Sequence, residues 1–178
     1  AFDKLVICTP LELFLEYGDA NQAEHELFSK IVHKEYFTMA VRTEEEKAPE
    51  ISYYYFDNMT PETRGHLMVF YHRWPDAGPQ PLVTFNHEGM EDVPFDEARD
   101  TTLADMAKSG LSVTKTERID DWYYFPHVSS ADYADGWYDK VEAMQGENNT
   151  FYAGEVMAFG DMEETVEYSR DLMRRFFL

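Results

Sequence analysis

The sequence predicts an α/β chain with an α+β insertion, and three observations carry that reading. A strand-like run leads into a helix-like run at the N-terminal end. The same order recurs at the C-terminal end. Between them lies a stretch rich in aromatic and β-branched residues, cut by Pro, Gly, Asn and Asp. The two ends predict strands of one sheet with helices packed on it, and the middle predicts an antiparallel sheet.

Residues 2–9, "FDKLVICT", read as a buried strand that stops at Pro10. "PLELFLEYG" places Pro10 at a helix start and Gly18 at its end, and "NQAEHELFSKIV" repeats Ala23, Leu27, Phe28 and Ile31 at helical spacing. "EYFTMAVR", "ISYYYFD", "HLMVFYHRW" and "PLVTFNHE" predict an antiparallel sheet over roughly Tyr36 to Glu88. "PFDEARDTTLADMAKSG" predicts a helix ending at Gly110, and "SVTKTERIDDWYYF" a return to strand. "ADYADGWYDKVEAMQG" predicts a helix broken near Gly136, followed by a last strand over Thr150 to Ala153 and a last helix. Two strand–helix ends are too few for a stable sheet of their own, so further strands are expected from elsewhere.

At 178 residues, 44% of them hydrophobic, the chain is long enough for a real core. Lys and Arg total 15 against 35 Asp and Glu, and the net charge of −20 excludes a nucleic-acid binder or an anionic-membrane binder. It favours solubility or a basic partner. Apolar runs such as Leu5 to Cys8 fall far short of the roughly 20 residues of a membrane helix. The chain starts at Ala1 without a targeting segment, so its true start is expected upstream, and the compartment is not legible. Cys8 cannot form an intrachain disulfide and reads as a small buried hydrophobe. The sequons at Asn58 and Asn148 are short triplets of little weight.

Most motifs of catalysis are missing. No two of the nine glycines stand two apart, which excludes G-x-G-x-x-G, and neither a P-loop nor G-x-S-x-G can be written on the chain. There is no H-E-x-x-H and no CxxC, so no metal site is expected. The pairs Asp120-Asp121 and Glu163-Glu164 read as solvated surface. Tyr53, Tyr54, Tyr55, Tyr71, Trp74, Trp122, Tyr123 and Tyr124 read as core of a half-buried sheet in preference to pocket. His127 reads as a turn residue with a satisfied ring, and no residue is assigned a catalytic role.

The most informative stretch is "TFYAGEVMAFGDMEETVEYSRDLMRRFF". Gly154 removes a side chain where a backbone or ligand approaches closely. Asp161 serves as N-cap, with Glu164 as the return half of a capping box. Met162, Val166, Ser169, Met173 and Phe176 mark one apolar face, and Arg170, Arg174 and Arg175 complement the helix dipole at the far end.

This stretch resembles the C-terminal signature of the flavin-containing amine oxidase superfamily, an aromatic-Ala-Gly-Glu strand end leading into a helix whose N-terminus faces the flavin. "FDKLVICTPLE" is similar to the family strand that re-enters the FAD-binding domain. "WYYFPHVSSADYADGWYDKVEAMQG" resembles the segment before the last strand in the fatty-acid-isomerase-like and cyclopiazonate-dehydrogenase-like branches. The resemblance implies the C-terminal part of a Rossmann-like FAD-binding domain over 1–18 and 120–178, and a substrate-domain-like portion with an antiparallel sheet and helices over 19–119. It implies FAD as cofactor, near Thr9, Pro10, Gly154, Glu155, Met162 and Thr165. Many members open the last helix Met-Glu-Gly-Ala where this chain has Met-Glu-Glu-Thr.

The dinucleotide fingerprint of such proteins has no counterpart here, so FAD is expected only together with an N-terminal half or a second polypeptide. The implied activity is oxidation of a C–N or C–C bond of a small molecule, or isomerisation begun by hydride transfer to the flavin. The alternative is a non-catalytic subunit derived from such a flavoprotein and docked on a larger assembly.

Overall fold

The computed structural model of the chain describes residues 2–44, 52–54, 56–63, 66–72, 82–88, 94–158 and 160–178. Their elements run β1 (Leu5–Ile7), α1 (Leu11–Tyr17), α2 (Gln22–Phe28), β2 (Val32–Thr43), β3 (Ser52–Tyr54), β4 (Val69–Tyr71), β5 (Leu82–Glu88), α3 (Phe95–Lys108), β6 (Val113–His127), α4 (Ser130–Ala134), α5 (Trp137–Ala143), β7 (Thr150–Tyr152) and α6 (Met162–Phe176). The chain divides into two compact units, residues 1–33 with 125–178, and residues 34–124. α2, placed with the insertion on sequence grounds, packs through Leu27 and Phe28 into the core of the first unit.

In the first unit β1 and β7 form a two-stranded parallel sheet, with Leu5, Val6 and Ile7 opposite Thr150, Phe151 and Tyr152. Alternation along the strands divides the core. Ile7 and Tyr152 face Leu11, Phe28, Trp137 and Val141 of the helices on one side. Phe151 and Ala153 face Leu172 of α6 on the other, with Val6, Tyr168 and Phe176 around them. Two large buried side chains have their polar atoms paired: Trp137 Nε1 donates to Leu27 O (2.8 Å), and Tyr152 OH donates to the buried Glu24 (2.5 Å). Burial, then the Glu24 carboxylate, push the Tyr152 hydroxyl well above its usual pKa. Gln145 closes a loop on the strand end, accepting from Tyr152 N–H (2.9 Å) and donating to Tyr152 O (2.8 Å).

The second unit holds a five-stranded sheet in the order β3-β4-β5-β2-β6. β2 and β5 run antiparallel from Tyr36 opposite Glu88 to Arg42 opposite Leu82, and β4 runs antiparallel to β3 and β5. Phe37, Met39 and Val41 of β2 pack on Ala98 and Met106 of α3. α3 ends where Gly110 takes φ 88°, with Leu111 N–H bonded to Met106 O and Gly110 N–H to Ala107 O, so its last carbonyls are satisfied. The buried Asp105 carboxylate accepts from His66 Nδ1 (2.8 Å), Lys108 Nζ (2.9 Å), Leu67 N–H (3.1 Å) and Asn58 Nδ2 (3.2 Å). Burial alone raises this carboxyl, but these donors outweigh it and hold it below the usual carboxylate range.

The structure corrects several expectations. The first strand is three residues long, and Cys8 beyond its end is exposed, because the pairing with β7 stops at Ile7. The second helix stops at Phe28, and Val32 already belongs to β2. Trp122 and Tyr123 are exposed at 51% and 85%, and Tyr71 and Tyr124 are not buried either, so these aromatics are not core. Tyr53 and Tyr54 lie on β3, whereas Tyr55 and Trp74 lie outside the described residues. Asn58 of the first sequon is buried with its amide donated to Leu67 O (2.8 Å), so the fold leaves it no room for a glycan.

Candidate functional site

Parallel β1 and β7 end side by side, and each strand end turns toward a helix. Ligands of open α/β sheets sit outside such carboxyl ends, where turns expose backbone groups. Thr9 and Pro10 follow β1 and lead into α1, and both are exposed. The Thr9 hydroxyl shares a 2.5 Å hydrogen bond with Tyr17 OH, which fixes it over α1.

Gly154 follows β7 with φ 115° and ψ −172°, a conformation open essentially to glycine alone. A Cβ there would stand 3.3 Å from the Cys8 carbonyl oxygen, so the residue is required by both backbone shape and close approach to the neighbouring strand end. The structure therefore brings Gly154 against Cys8 beside Thr9, and explains the glycine from within the chain. Glu155 is exposed and opens the short 3-10 turn Glu155–Met157.

α6 begins where Asp161 Oδ1 accepts from Glu164 N–H (2.9 Å). The capping box with both halves closed is found instead at α2, between Asn21 and Glu24. Thr165 turns its hydroxyl back to Asp161 O (2.8 Å). Asp161 thus occupies the amides of the third and fourth helical positions, while the N–H groups of Met162 and Glu163 carry no hydrogen bond among the described residues. Two outward-pointing N–H groups at the positive end of a helix favour an electron-rich partner.

The face of α6 that meets the sheet is not the one expected from hydrophobicity. Leu172 is buried, with Tyr168 and Phe176 packed beside it, whereas Met162 and Val166 are 86% and 64% exposed. Tyr168 is directed inward by polar bonds, donating to Glu142 and accepting from Gln145 Nε2 (3.0 Å). Phe151 and Ala153 offer their shallow surface to Leu172, so the methionines and Val166 are left outside.

The sequence marks Phe125 only as part of a Phe-Pro-His motif and Gly160 only as a helix boundary, and tells nothing of their contact. Phe125 has φ 55°, uncommon for a bulky residue, and its carbonyl oxygen lies 2.8 Å from His127 Nδ1. The His127 ring is thereby satisfied, as expected. A Cβ at Gly160 would stand 3.0 Å from Glu155 Oε1 and 3.2 Å from the Phe125 ring. The Phe-Pro-His triplet was the available signal, but it drew notice to the histidine. No cluster of His, Cys, Asp and Glu able to hold a metal occurs among the described residues. No helix among them is long and apolar enough to cross a membrane.

No protein-family model matches the chain, and no curated protein matches it. Solved structures do. Over 99% of its length the chain is similar, at 48% identity and a TM-score of 0.89, to a CLA-producing fatty acid isomerase from P. acnes, of which it spans 42%. It also matches, at 11% identity and a TM-score of 0.61, 40% of a protoporphyrinogen oxidase-type protein from an Exiguobacterium species. A putrescine oxidase variant redesigned in its cofactor binding matches over 43% of its chain, at 9% identity and a TM-score of 0.60. The latter two establish the fold alone. The chain has the fold of a portion of the amine-oxidase-type flavoproteins, and it spans about two fifths of the length of these neighbours.

Proposed function

We propose that this chain is the C-terminal portion of an FAD-dependent enzyme of amine-oxidase type that isomerises an unsaturated fatty acid. The observation that carries this reading is the 48% identity to the fatty acid isomerase, sustained over 99% of the chain. The unit of residues 1–33 and 125–178 is the cofactor-facing part on this reading, and that of residues 34–124 belongs to the substrate domain.

The residues present fit such a cofactor. Thr9 and Pro10 are exposed at a strand end, Gly154 and Glu155 turn the neighbouring strand end, and α6 presents the N–H groups of Met162 and Glu163. When bound, FAD supplies hydride acceptance and return. The two N–H groups stabilise negative charge at the edge of an electron-rich ring, and the Thr165 hydroxyl, tied to Asp161 O, tightens the turn that presents them. Asp161 and Glu164 do not oppose that role, because the Asp161 carboxylate is engaged sideways in capping.

The remainder of the FAD-binding domain is the implied partner. Two features of the chain suit it: β1 and β7 pair only with one another among the described residues, and α6 leaves Met162, Val166 and Met173 exposed. A two-stranded sheet gains stability from added strands, and an apolar helix face from a cover.

The test is product analysis of the full-length protein incubated with a polyunsaturated fatty acid without added oxidant. Migration of a double bond into conjugation, with no net oxidation, is the expected result. Consumption of oxygen with an amine substrate and none with the fatty acid would move the reading to the oxidase branch. A folded, flavin-loaded protein that converts neither class contradicts it.

A further inference from the structure

Phe125 stands at the return of the chain from residues 34–124 into the first unit, and its backbone is held in an uncommon conformation. With φ 55° ahead of Pro126, and with its carbonyl oxygen bonded to His127 Nδ1 (2.8 Å), the main chain that carries the ring is restrained. That ring lies against Gly160, where an added Cβ would meet it at 3.2 Å. Gly160 directly precedes Asp161, the N-cap of α6. The other neighbour of Gly160 is the Glu155 carboxylate, the free end of a flexible exposed side chain that can turn aside. Of the two contacts, only the ring resists.

Resting on the proposed function above, we infer that Phe125 is a positioning residue, whose ring, wedged against Gly160, sets the first turn of α6 and thereby the two N–H groups offered to the flavin. The wedge acts through the backbone. A bulky ring carried on a restrained main chain resists displacement, and the glycine opposite leaves it room to approach the backbone closely. Without the ring, Gly160 loses the surface that seats it, and the capped first turn opens more often. Strained conformations persist where surrounding structure holds them, and here the Pro126 ring and the His127 bond do so.

The test is a double-mutant cycle of Gly160→Ala and Phe125→Leu, read by hydrogen exchange at the amides of Glu164 and Thr165, which Asp161 holds. Gly160→Ala alone is expected to raise exchange there roughly tenfold, and in the Phe125→Leu background by no more than about twofold, because the obstructing ring is gone. Equal effects in both backgrounds would overturn the wedge. If Gly160→Ala alone does not fold, its folding in the Phe125→Leu background supports the wedge, and failure in both overturns it.

The cofactor arm uses the full-length protein and reads the position of the flavin's visible absorption bands. A displacement in Gly160→Ala and in Phe125→Leu, with little further displacement when the two are combined, is the expected result. Unmoved bands alongside coupled exchange would overturn the role toward the flavin. A folded full-length protein that binds no flavin contradicts the proposed function itself, and the exchange cycle still decides whether the wedge exists.

Discussion

Residues 34–124 hold five strands and one long helix, whereas residues 1–33 with 125–178 hold two strands and five helices among the described residues. The difference lies in how each completes its layers. The larger sheet packs β2 on α3, and one buried carboxylate of that helix is tied to Asn58, His66 and Leu67. The smaller sheet is covered by helices on both faces, yet among the described residues its strands pair only with each other, and one of those helices leaves an apolar stripe outside. Among the described residues of the larger unit, β2 and α3 share one apolar core and the Asp105 carboxylate is met by donors of the same unit. The other exposes at its strand ends and on α6 the groups that a partner and a cofactor take up in the proposed function.

Asp105→Ala is the strongest expected break on the side of residues 34–124. It leaves the donors of Asn58, His66 and Leu67 facing a void, and the expected loss is roughly 3–5 kcal/mol in urea unfolding. A loss under about 1 kcal/mol would show that the carboxylate does not hold the unit together. The same group makes stability depend on acid. Its folded pKa lies below the ordinary value of 3.8, so its contribution is complete above that value and is lost as pH falls through the folded one. Between about pH 5 and pH 2 the urea midpoint should fall less steeply for Asp105→Asn than for the parent chain.

Gly154→Ala tests the other unit at the strand end. The φ of 115° and the approach to Cys8 O predict a loss of about 1–3 kcal/mol, read as a lowered urea midpoint. A neutral result would mean that the backbone relaxes at no cost, and that the glycine is explained by the cofactor alone.

How much of this was legible beforehand follows from where the governing contacts lie along the chain. Pro10 and Gly18 mark α1, Gly110 ends α3 and Gly136 divides α4 from α5, because each signal acts within a turn of its own position. Gly154 was readable as a place of close approach, but the approaching atom, Cys8 O, lies on a strand distant in sequence. The Asp105 cluster joins residues 38, 39 and 47 positions apart and leaves no local pattern. The inward face of α6 was misjudged because hydrophobicity favours Met162 and Val166, while the packing is decided by Leu172 against Phe151 and by the polar bonds of Tyr168. The core expected for Trp122, Tyr123 and Tyr124 failed for a related reason, since aromatic content marks a strand without telling which of its faces is covered.

Smaller effects sharpen the contrast at α6. Asp161→Ala removes the cap to Glu164 N–H and should cost about 1 kcal/mol in the thermal or urea midpoint. Val166→Ser should change the stability of this chain by less than about 0.5 kcal/mol, since the side chain is exposed. In the full-length protein the same substitution should cost more than 1 kcal/mol, about the worth of a covered methyl pair, if the stripe is buried there. Equal small effects in both would indicate that α6 keeps this face in solvent.

The most direct test of the central claim is the visible absorption spectrum of the folded full-length protein, recorded with the parent sequence and with Gly154→Ala. Oxidised flavin bands at close to one flavin per chain are expected in the parent, with reduced occupancy in the variant. A folded full-length protein without those bands would contradict the reading of this chain as the flavin-facing portion of an enzyme.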